Sequence, residues 1–135
     1  MVERRLRKAS NTNFRLWLPV ALYVALIFYL SSFSAVPLPA DVSDKTAHGF
    51  GYSGLAVLVT RAMVKGLPAP VSGVQAVGAI VVTAMYGVTD EWHQRYVPGR
   101  SSDVHDVYAD AIGAMIGTSA CWAWGLSASR PRTNA

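Results

Sequence analysis

Apolar and polar residues alternate along the chain in long blocks, and the apolar blocks have the length of membrane helices. The first, residues 16–33, reads LWLPVALYVALIFYLSSF and holds no charged residue over 18 positions. That length crosses a hydrocarbon core of ~30 Å at 1.5 Å per residue. None of the blocks shows the two-residue period of a β-strand. We therefore predict an all-α integral membrane protein, a bundle of four transmembrane helices near residues 16–34, 43–64, 72–92 and 103–125.

Turn-forming residues separate the predicted helices. The segment PLP at 37–39 ends the first helix, KGLPAP at 65–70 follows the second, and RYVPGRSS at 95–102 follows the third. Ser43 and Ser102 stand where a serine N-cap would begin the second and fourth helices.

The composition agrees with a membrane protein and disfavours a nucleic-acid-binding one. Hydrophobic residues make up 52% of the chain and charged residues 15%, whereas soluble domains carry roughly 25% charged residues. The basic residues lie in short clusters at the ends of apolar blocks and form no single patch. The single Cys121 matches no zinc spacing. We predict no nucleic-acid partner.

The distribution of basic residues predicts the orientation of the helices. Nine of the 12 basic residues fall in the N-terminal flank, the second turn and the tail, leaving Lys45, Arg95 and Arg100. The positive-inside rule then places both termini in the cytoplasm. The predicted organisation is a basic cytoplasmic segment (1–15), a membrane domain (16–125) and a polar, disordered cytoplasmic tail (126–135).

A cleaved signal peptide is the alternative for the first block, because RRLRK precedes it and Ser32-Phe33-Ser34 resembles a cleavage site. The block is longer than the usual hydrophobic region of a signal peptide, and further apolar segments follow it. We therefore expect a membrane-spanning helix.

Polar residues concentrate on one face of three predicted helices, at their outer ends. At 100° per residue, the second helix aligns Asp44, Lys45, His48 and Tyr52. The third helix aligns another polar group, while Glu91 points away from it; the group consists of Thr83, Tyr86, Asp90, His93 and Gln94.

The fourth helix carries three carboxylates on one stripe, Asp103, Asp106 and Asp110. Below them runs a small-residue seam (Ala109, Gly113, Gly117 and Cys121), a surface by which membrane helices approach closely. The lower carboxylates therefore point into the bundle, since a lipid-facing one would cost ~2.5–3.5 kcal/mol. There they can pair with His48, Arg100, Lys45 or Tyr86.

Structural interpretations compete with functional ones at several positions. Asp103 and Asp44 stand where a carboxylate favours the start of a helix. Glu91 and Arg95 are spaced as a surface ion pair, which is the interpretation we favour. His93 and His105 are expected at the membrane interface. His48 has Asp44 one turn above and Tyr52 one turn below, which favours a functional role over a structural one.

The motif residues resemble those of a known family. The spacings are Asp44-Lys45-x-x-His48-x-x-x-Tyr52, Tyr86-x-x-x-Asp90-Glu91-x-x-Gln94-x-x-x-Pro98-Gly99-Arg100, Arg100-x-x-x-x-x-Asp106 and Gly113-x-x-x-Gly117. With the four helices, the chain resembles the VanZ-like family of small bacterial membrane proteins over roughly residues 16–125. The resemblance implies the bacterial cytoplasmic membrane. It also implies a contribution to resistance against the glycopeptide teicoplanin, the property linked to the founding member.

The same residues suit phosphate chemistry on a lipid. We predict catalytic roles for His48, Asp90, Asp106 and Asp44, with substrate contacts from Arg100, Lys45, Tyr52, Tyr86, Glu91, Gln94 and Asp110. Arginine offers a planar fork for a phosphate, and histidine transfers protons near neutral pH. The expected partners are membrane lipids, a lipid-linked cell-wall precursor or a glycopeptide, and the reaction class is head-group hydrolysis or transfer.

Three alternatives remain open at the level of the sequence. No cofactor is expected, but a divalent metal held by His48, Asp90, Asp106 and Asp110 is the alternative. A binding or shielding protein would use the same pocket without chemistry. A purely structural cluster is disfavoured, because buried charges are a costly way to hold helices in register.

Overall fold

Four α-helices form the fold of the computed structural model, which describes residues 2–36 and 38–129. They are α1 (Val2–Ser31), α2 (Asp44–Met63), α3 (Gly73–Gln94) and α4 (Val104–Ala128), and no strand occurs in the described residues. The predicted all-α class, with four helices in this order, is confirmed.

The first helix begins far earlier than predicted. Residues 3–9, which read ERRLRKA, are all of types that favour helix, and the helix continues from them into the apolar part of α1. Nearly all of the predicted basic segment is thus helical and continuous with the apolar part of α1. At the other end, α4 runs on to Ala128, so only residues 130–135 of the predicted tail remain, outside the described residues.

The helix starts were predicted correctly at α2 and wrongly at α4. The hydroxyl of Ser43 accepts a hydrogen bond from the backbone N–H of Thr46 at 3.2 Å, as an N-cap does. At α4 the cap is Asp103, not Ser102: its carboxylate accepts from the backbone N–H of His105 at 2.9 Å. A carboxylate also interacts favourably with the helix dipole, which an uncharged serine does not.

Helix α2 packs most extensively on α4, along the small-residue seam. A Cβ atom added to Gly113 would lie 2.2 Å from the carbonyl oxygen of Gly49, and one added to Gly117 would lie 2.3 Å from that of Ser53. Any side chain at these two glycines would collide with the backbone of α2. The seam therefore brings the polar starts of α2 and α4 next to each other.

The bundle buries several polar side chains and leaves many large apolar side chains on its surface. Asp90, Asp106 and Asp110 are buried, whereas large apolar residues such as Leu22 and Val77 are about 60% exposed. By length and composition, α1 (over Thr12–Ser31) and α3 (Gly73–Gln94) can cross a membrane. Helices α2 and α4 do not meet that criterion, so two of the four predicted spans are supported in this way.

Candidate functional site

A histidine–aspartate pair lies at the centre of the polar cluster. Nδ1 of His48 on α2 is 3.0 Å from Oδ1 of Asp110 on α4, and the Asp110 side chain is completely buried. Close packing against α3 completes its surroundings, because a Cβ atom at Gly87 would lie 2.5 Å from Oδ2 of Asp110. Asp110 therefore fixes the orientation of the imidazole and leaves Nε2 as the ring nitrogen that it does not engage.

The second carboxylate on this face of α4 is held by a lysine. Nζ of Lys45 lies 2.9 Å from Asp103 and 3.5 Å from Oδ1 of Asp106, which is buried. The backbone N–H of His105 and the Lys45 ammonium, in that order, hold the pKa of the Asp103 carboxyl far below its usual value. Lys45 thus pairs mainly with Asp103 and only partly neutralises the charge of Asp106.

A chain of hydrogen bonds joins the end of α1 to the loop after α3. The hydroxyl of Ser31 donates to Oδ1 of Asp90 at 2.5 Å, and Nε2 of Gln94 donates to Oδ2 at 3.1 Å. Nε and Nη2 of Arg100 both donate to Oε1 of Gln94, at 3.1 and 2.7 Å. Arg100 is thereby directed at a neutral amide, and it forms no ion pair with a carboxylate among residues 12–129 that the structure describes.

These groups surround a cavity of about 170 Å³, here called the His48 cavity. Its polar wall comes from α2, α3 and the loop after α3, and its apolar wall from the end of α1 and the segment that follows. The lining residues are Ile27, Leu30, Ser31, Val36, Leu38, Asp44, Ala47, His48, Gly51, Tyr52, Asp90, Gln94 and Arg100. Such a site suits a ligand with one apolar and one polar part.

The two tyrosines predicted to bind substrate pack behind the histidine. The rings of His48 and Tyr52 are stacked with centroids 6.2 Å apart, and Tyr86 lies against Tyr52 at 6.1 Å. The Tyr86 hydroxyl donates to the carbonyl of Val24 at 2.8 Å, so it ties α3 to α1. Tyr52 lines the His48 cavity, and Tyr86 does not.

Glu91 is not the surface partner of Arg95 that its spacing indicates. It is 3% exposed, and its Oε2 accepts the backbone N–H of Asp103 at 2.9 Å. The segment leading into α4 covers the face of α3 that carries Glu91, which a helical projection of α3 alone cannot show. Glu91 therefore anchors the start of α4 and lies outside the His48 cavity.

The predicted site residues thus divide into groups. Six of them line the cavity: Asp44, His48, Tyr52, Asp90, Gln94 and Arg100. Asp106 and Asp110 instead lie on α4 beside and behind the histidine, Lys45 faces Asp103, and Glu91 and Tyr86 make structural contacts. Arg100 was expected to pair with the carboxylates of α4, but it donates to the neutral Gln94 instead.

Metal-ligating atoms come together in a different set from the one expected. One ligand atom each of Asp44, His48 and Asp106 lie within 4.8 Å of one another. Asp90 and Asp110, which were ligands in the metal alternative offered by the sequence, are outside this group. Asp110 instead is hydrogen-bonded to Nδ1 of His48.

Ser31 and the apolar wall of the cavity were not among the site residues predicted from the sequence. Ser31 is buried and donates to Asp90, but it lies at the end of an apolar block where a serine looks like a simple helix end. Its position two residues before the end of the block, at the depth of Asp90, was the available signal. Val36 and Leu38 carried no signal, because they lie in an irregular segment.

The fold and the site together define a small all-helical protein with a polar cluster inside and an apolar surface outside, which indicates a membrane protein. The model of the VanZ/LLP1 family matches residues 10–125, and the chain belongs to that family. The resemblance found in the sequence is thereby confirmed. No significant match is found among curated proteins or among solved structures.

Proposed function

We propose that the protein binds a lipid with a phosphate-bearing head group in the His48 cavity and that His48 transfers a proton during hydrolysis or transfer of that head group. The observation that carries the proposal is that His48, oriented by Asp110, and the unpaired cation of Arg100 line one cavity whose other wall is apolar.

The charge of Arg100 supports an anionic ligand. Gln94 accepts two hydrogen bonds from the guanidinium without neutralising it. A cation that is half-buried and lacks a carboxylate partner attracts an anion more strongly than one in water. The remaining N–H groups of the planar fork suit phosphate oxygens.

The apolar wall supports a lipid rather than a free phosphate. Leu30, Val36 and Leu38 face the same space as Arg100 and His48. An acyl or polyprenyl chain would lie against these side chains while the phosphate meets the guanidinium. A soluble phosphate would leave this wall without a partner.

The environment of His48 supports proton transfer. The Asp110 carboxylate holds Nδ1, so Nε2 is the nitrogen that can accept a proton from an attacking group. The buried carboxylate also stabilises the imidazolium that forms, as in the histidine–aspartate pairs of hydrolases. A binder without chemistry would not need this orientation.

The proposal includes a place in the membrane. We propose four membrane-spanning helices in the bacterial cytoplasmic membrane, both termini in the cytoplasm and the cavity at the outer leaflet. Much of α2 is enclosed by the other three helices, so little of its surface would meet lipid and a low hydropathy is tolerable. The excess of basic residues near the termini and the second turn supports this orientation.

Family membership supports a cellular role. The resemblance to the VanZ-like family implies a contribution to teicoplanin resistance, which alteration or binding of a lipid-linked cell-wall precursor would explain. Expression in a susceptible bacterium, with the inhibitory concentration of teicoplanin measured for the wild type and His48→Gln, tests this role. An unchanged inhibitory concentration on expression of the wild type would exclude it.

Binding and turnover of the purified protein test the biochemical proposal. In lipid nanodiscs we expect phosphatidic acid or a polyprenyl phosphate to bind, phosphatidylcholine to bind less well, and head-group release to be detected by mass spectrometry. Arg100→Ala should weaken binding about tenfold or more, equivalent to ~1.4 kcal/mol. Arg95→Ala is the matched control, because that arginine is exposed and lies outside the cavity.

The variants also separate an enzyme from a binder. His48→Gln should abolish head-group release while binding is largely retained. Retained function in His48→Gln together with loss in Arg100→Ala would mean a binding or shielding protein. Because Arg100 also hydrogen-bonds Gln94, its replacement by alanine can disturb the loop as well as remove a charge. Arg100→Lys keeps the charge, so it shows whether the loss of binding arises from the missing charge or from a disturbed loop. Binding as tight as that of the wild type in both Arg100→Ala and Arg100→Lys would refute the proposal.

A further inference from the structure

We propose that Asp44, His48 and Asp106 form a site for a divalent cation of the zinc or manganese type, beside the phosphate site. The three side chains come from the first two turns of α2 and the first turn of α4, which the small-residue seam brings together.

The geometry of the three side chains suits one cation. Their ligand atoms lie within 4.8 Å of one another, a spread that rotation of the exposed Asp44 carboxylate can reduce to the separation of ligands on a metal. Asp106 is buried and the His48 side chain is 9% exposed, so these two ligands are held by the bundle. Asp44 supplies the adjustable third ligand.

The hydrogen bond to Asp110 gives His48 the tautomer that a metal ligand requires. Metal-bound histidines usually donate their other ring N–H to a carboxylate, which fixes the tautomer and aims the free nitrogen. The bond from Nδ1 to the buried Asp110 is that arrangement. Nε2 then carries the lone pair that would bind the cation.

The local charge also favours a cation. Asp44, Asp106 and Asp110 are three carboxylates around one histidine, and among the described residues only the ammonium of Lys45 forms an ion pair with one of the three besides that histidine. Lys45 is 2.9 Å from Asp103 but 3.5 Å from Asp106, so it can keep its shorter contact when a cation binds Asp106.

The donor set defines the class of cation. One imidazole nitrogen with two carboxylate oxygens suits zinc or manganese, whereas Mg²⁺ prefers oxygen ligands alone. Three protein ligands leave coordination positions open, as catalytic metal sites do. A phosphate oxygen of a lipid in the His48 cavity could fill one of them.

This last role rests on the proposed function, but the cation site does not. When the cation is bound, Nε2 of His48 is a ligand and cannot accept a proton at the same time. The proton transfer by His48 proposed above therefore belongs to the cation-free protein.

Metal binding to the full-length protein in detergent, without lipid, tests the site directly. After treatment with a chelator, equilibrium dialysis against Zn²⁺, Mn²⁺ or Mg²⁺ and elemental mass spectrometry give the bound amount. We expect one Zn²⁺ or Mn²⁺ per chain and weaker binding of Mg²⁺. Asp106→Asn and Asp44→Asn should each weaken binding at least tenfold, and Asp110→Asn about 10–100-fold through the orientation of His48.

Two controls keep the test decisive. Asp44 is exposed, so Asp44→Asn should fold normally, as judged by circular dichroism. Asp41→Asn removes an exposed carboxylate outside the group and should leave binding unchanged. Binding well below one cation per chain, or equal affinities in the wild type and Asp44→Asn, would overturn the proposal.

The outcomes for cation and lipid are independent. Phosphatidic acid binding that depends on Arg100 but no stoichiometric cation would refute the cation site and leave the proposed function standing. A stoichiometric cation lost in Asp106→Asn, without binding of any phosphate lipid, would establish the cation site and refute the proposed function.

Discussion

Nδ1 of His48 and Oδ1 of Asp110 lie 3.0 Å apart although 62 positions separate them in the chain. The contact crosses from α2 to the last helix and lies in the interior of the bundle. It is therefore both a part of the candidate site and a part of the packing, and variants at Asp110 can separate these two contributions.

Removing the Asp110 carboxylate should destabilise the fold. In Asp110→Ala the ring N–H of His48 loses its buried acceptor, which costs roughly 1–3 kcal/mol. Asp110→Asn keeps the shape and one acceptor oxygen, so its cost should be smaller. Denaturant unfolding in detergent, followed by circular dichroism, measures both. Equal stability of Asp110→Ala and the wild type would mean that the pair contributes nothing to packing.

The close approach of α2 and α4 should depend on the missing side chain of Gly113. Gly113→Ala places a methyl group against the carbonyl of Gly49, and overpacking of this kind costs typically 1–3 kcal/mol. Gly51→Ala is the matched control on α2, because a Cβ atom there meets nothing within 4 Å. Alanine at that helical position should be neutral or stabilise by roughly 0.5–1 kcal/mol. Similar losses of stability in the two variants would contradict a specific contact along the seam.

Glu91 and Arg95 should behave differently when each is replaced by alanine. Glu91→Ala removes the acceptor of the Asp103 N–H and should cost roughly 1–3 kcal/mol. Arg95→Ala removes an exposed side chain and should stay within about 0.5 kcal/mol of the wild type. A surface ion pair predicts equally small losses from both changes, so the difference in unfolding free energy decides between the two arrangements.

Asp103 should make the fold sensitive to acid. Its pKa is lower in the folded protein than in the unfolded chain, where it is near 3.8. The stabilisation is therefore fully present above that value and is lost as the pH falls through the lower, folded pKa. Asp103→Asn should be less stable than the wild type at neutral pH, and the difference should shrink in acid. Unfolding midpoints of both proteins at neutral pH and near pH 3 test this, and a constant difference would contradict it.

The proposed orientation can be tested with reporter fusions. A reporter enzyme that is active only outside the cytoplasm should be silent after Ala135 and active when inserted at Ser101, in the loop before α4. The split of basic residues along the sequence is the reason for this expectation. Strong activity after Ala135 would refute the orientation, and a silent insertion at Ser101 would refute the outer position of that loop.

The sequence predicted features that arise within one helix better than features that arise between helices. The helix count, the Ser43 cap and the small-residue seam follow from local patterns and are seen in the structure. The burial of Glu91 depends on where another segment crosses α3, and the helical projection of α3 has no information about that.

The partners of charged groups were the least predictable part of the site. Arg100 had several carboxylates within reach in principle, yet the short loop after α3 places it on Gln94. Similarly, Asp44 replaces Asp90 and Asp110 in the group of metal-ligating atoms, because it lies one turn before His48 on α2, while Asp110 is bonded to Nδ1 of the histidine. The sequence identified the residues, and the packing of the helices selected the pairs.

The packing of α2 against α4 also sets an order on the assembly of the molecule during synthesis. Helix α2 is made before α3 and α4, but its main partner is α4. Until α4 is made, His48 lacks the buried acceptor that it has in the folded protein. The cluster is therefore completed only when the whole bundle is present, and a nascent chain that stops after α3 carries the histidine without its aspartate.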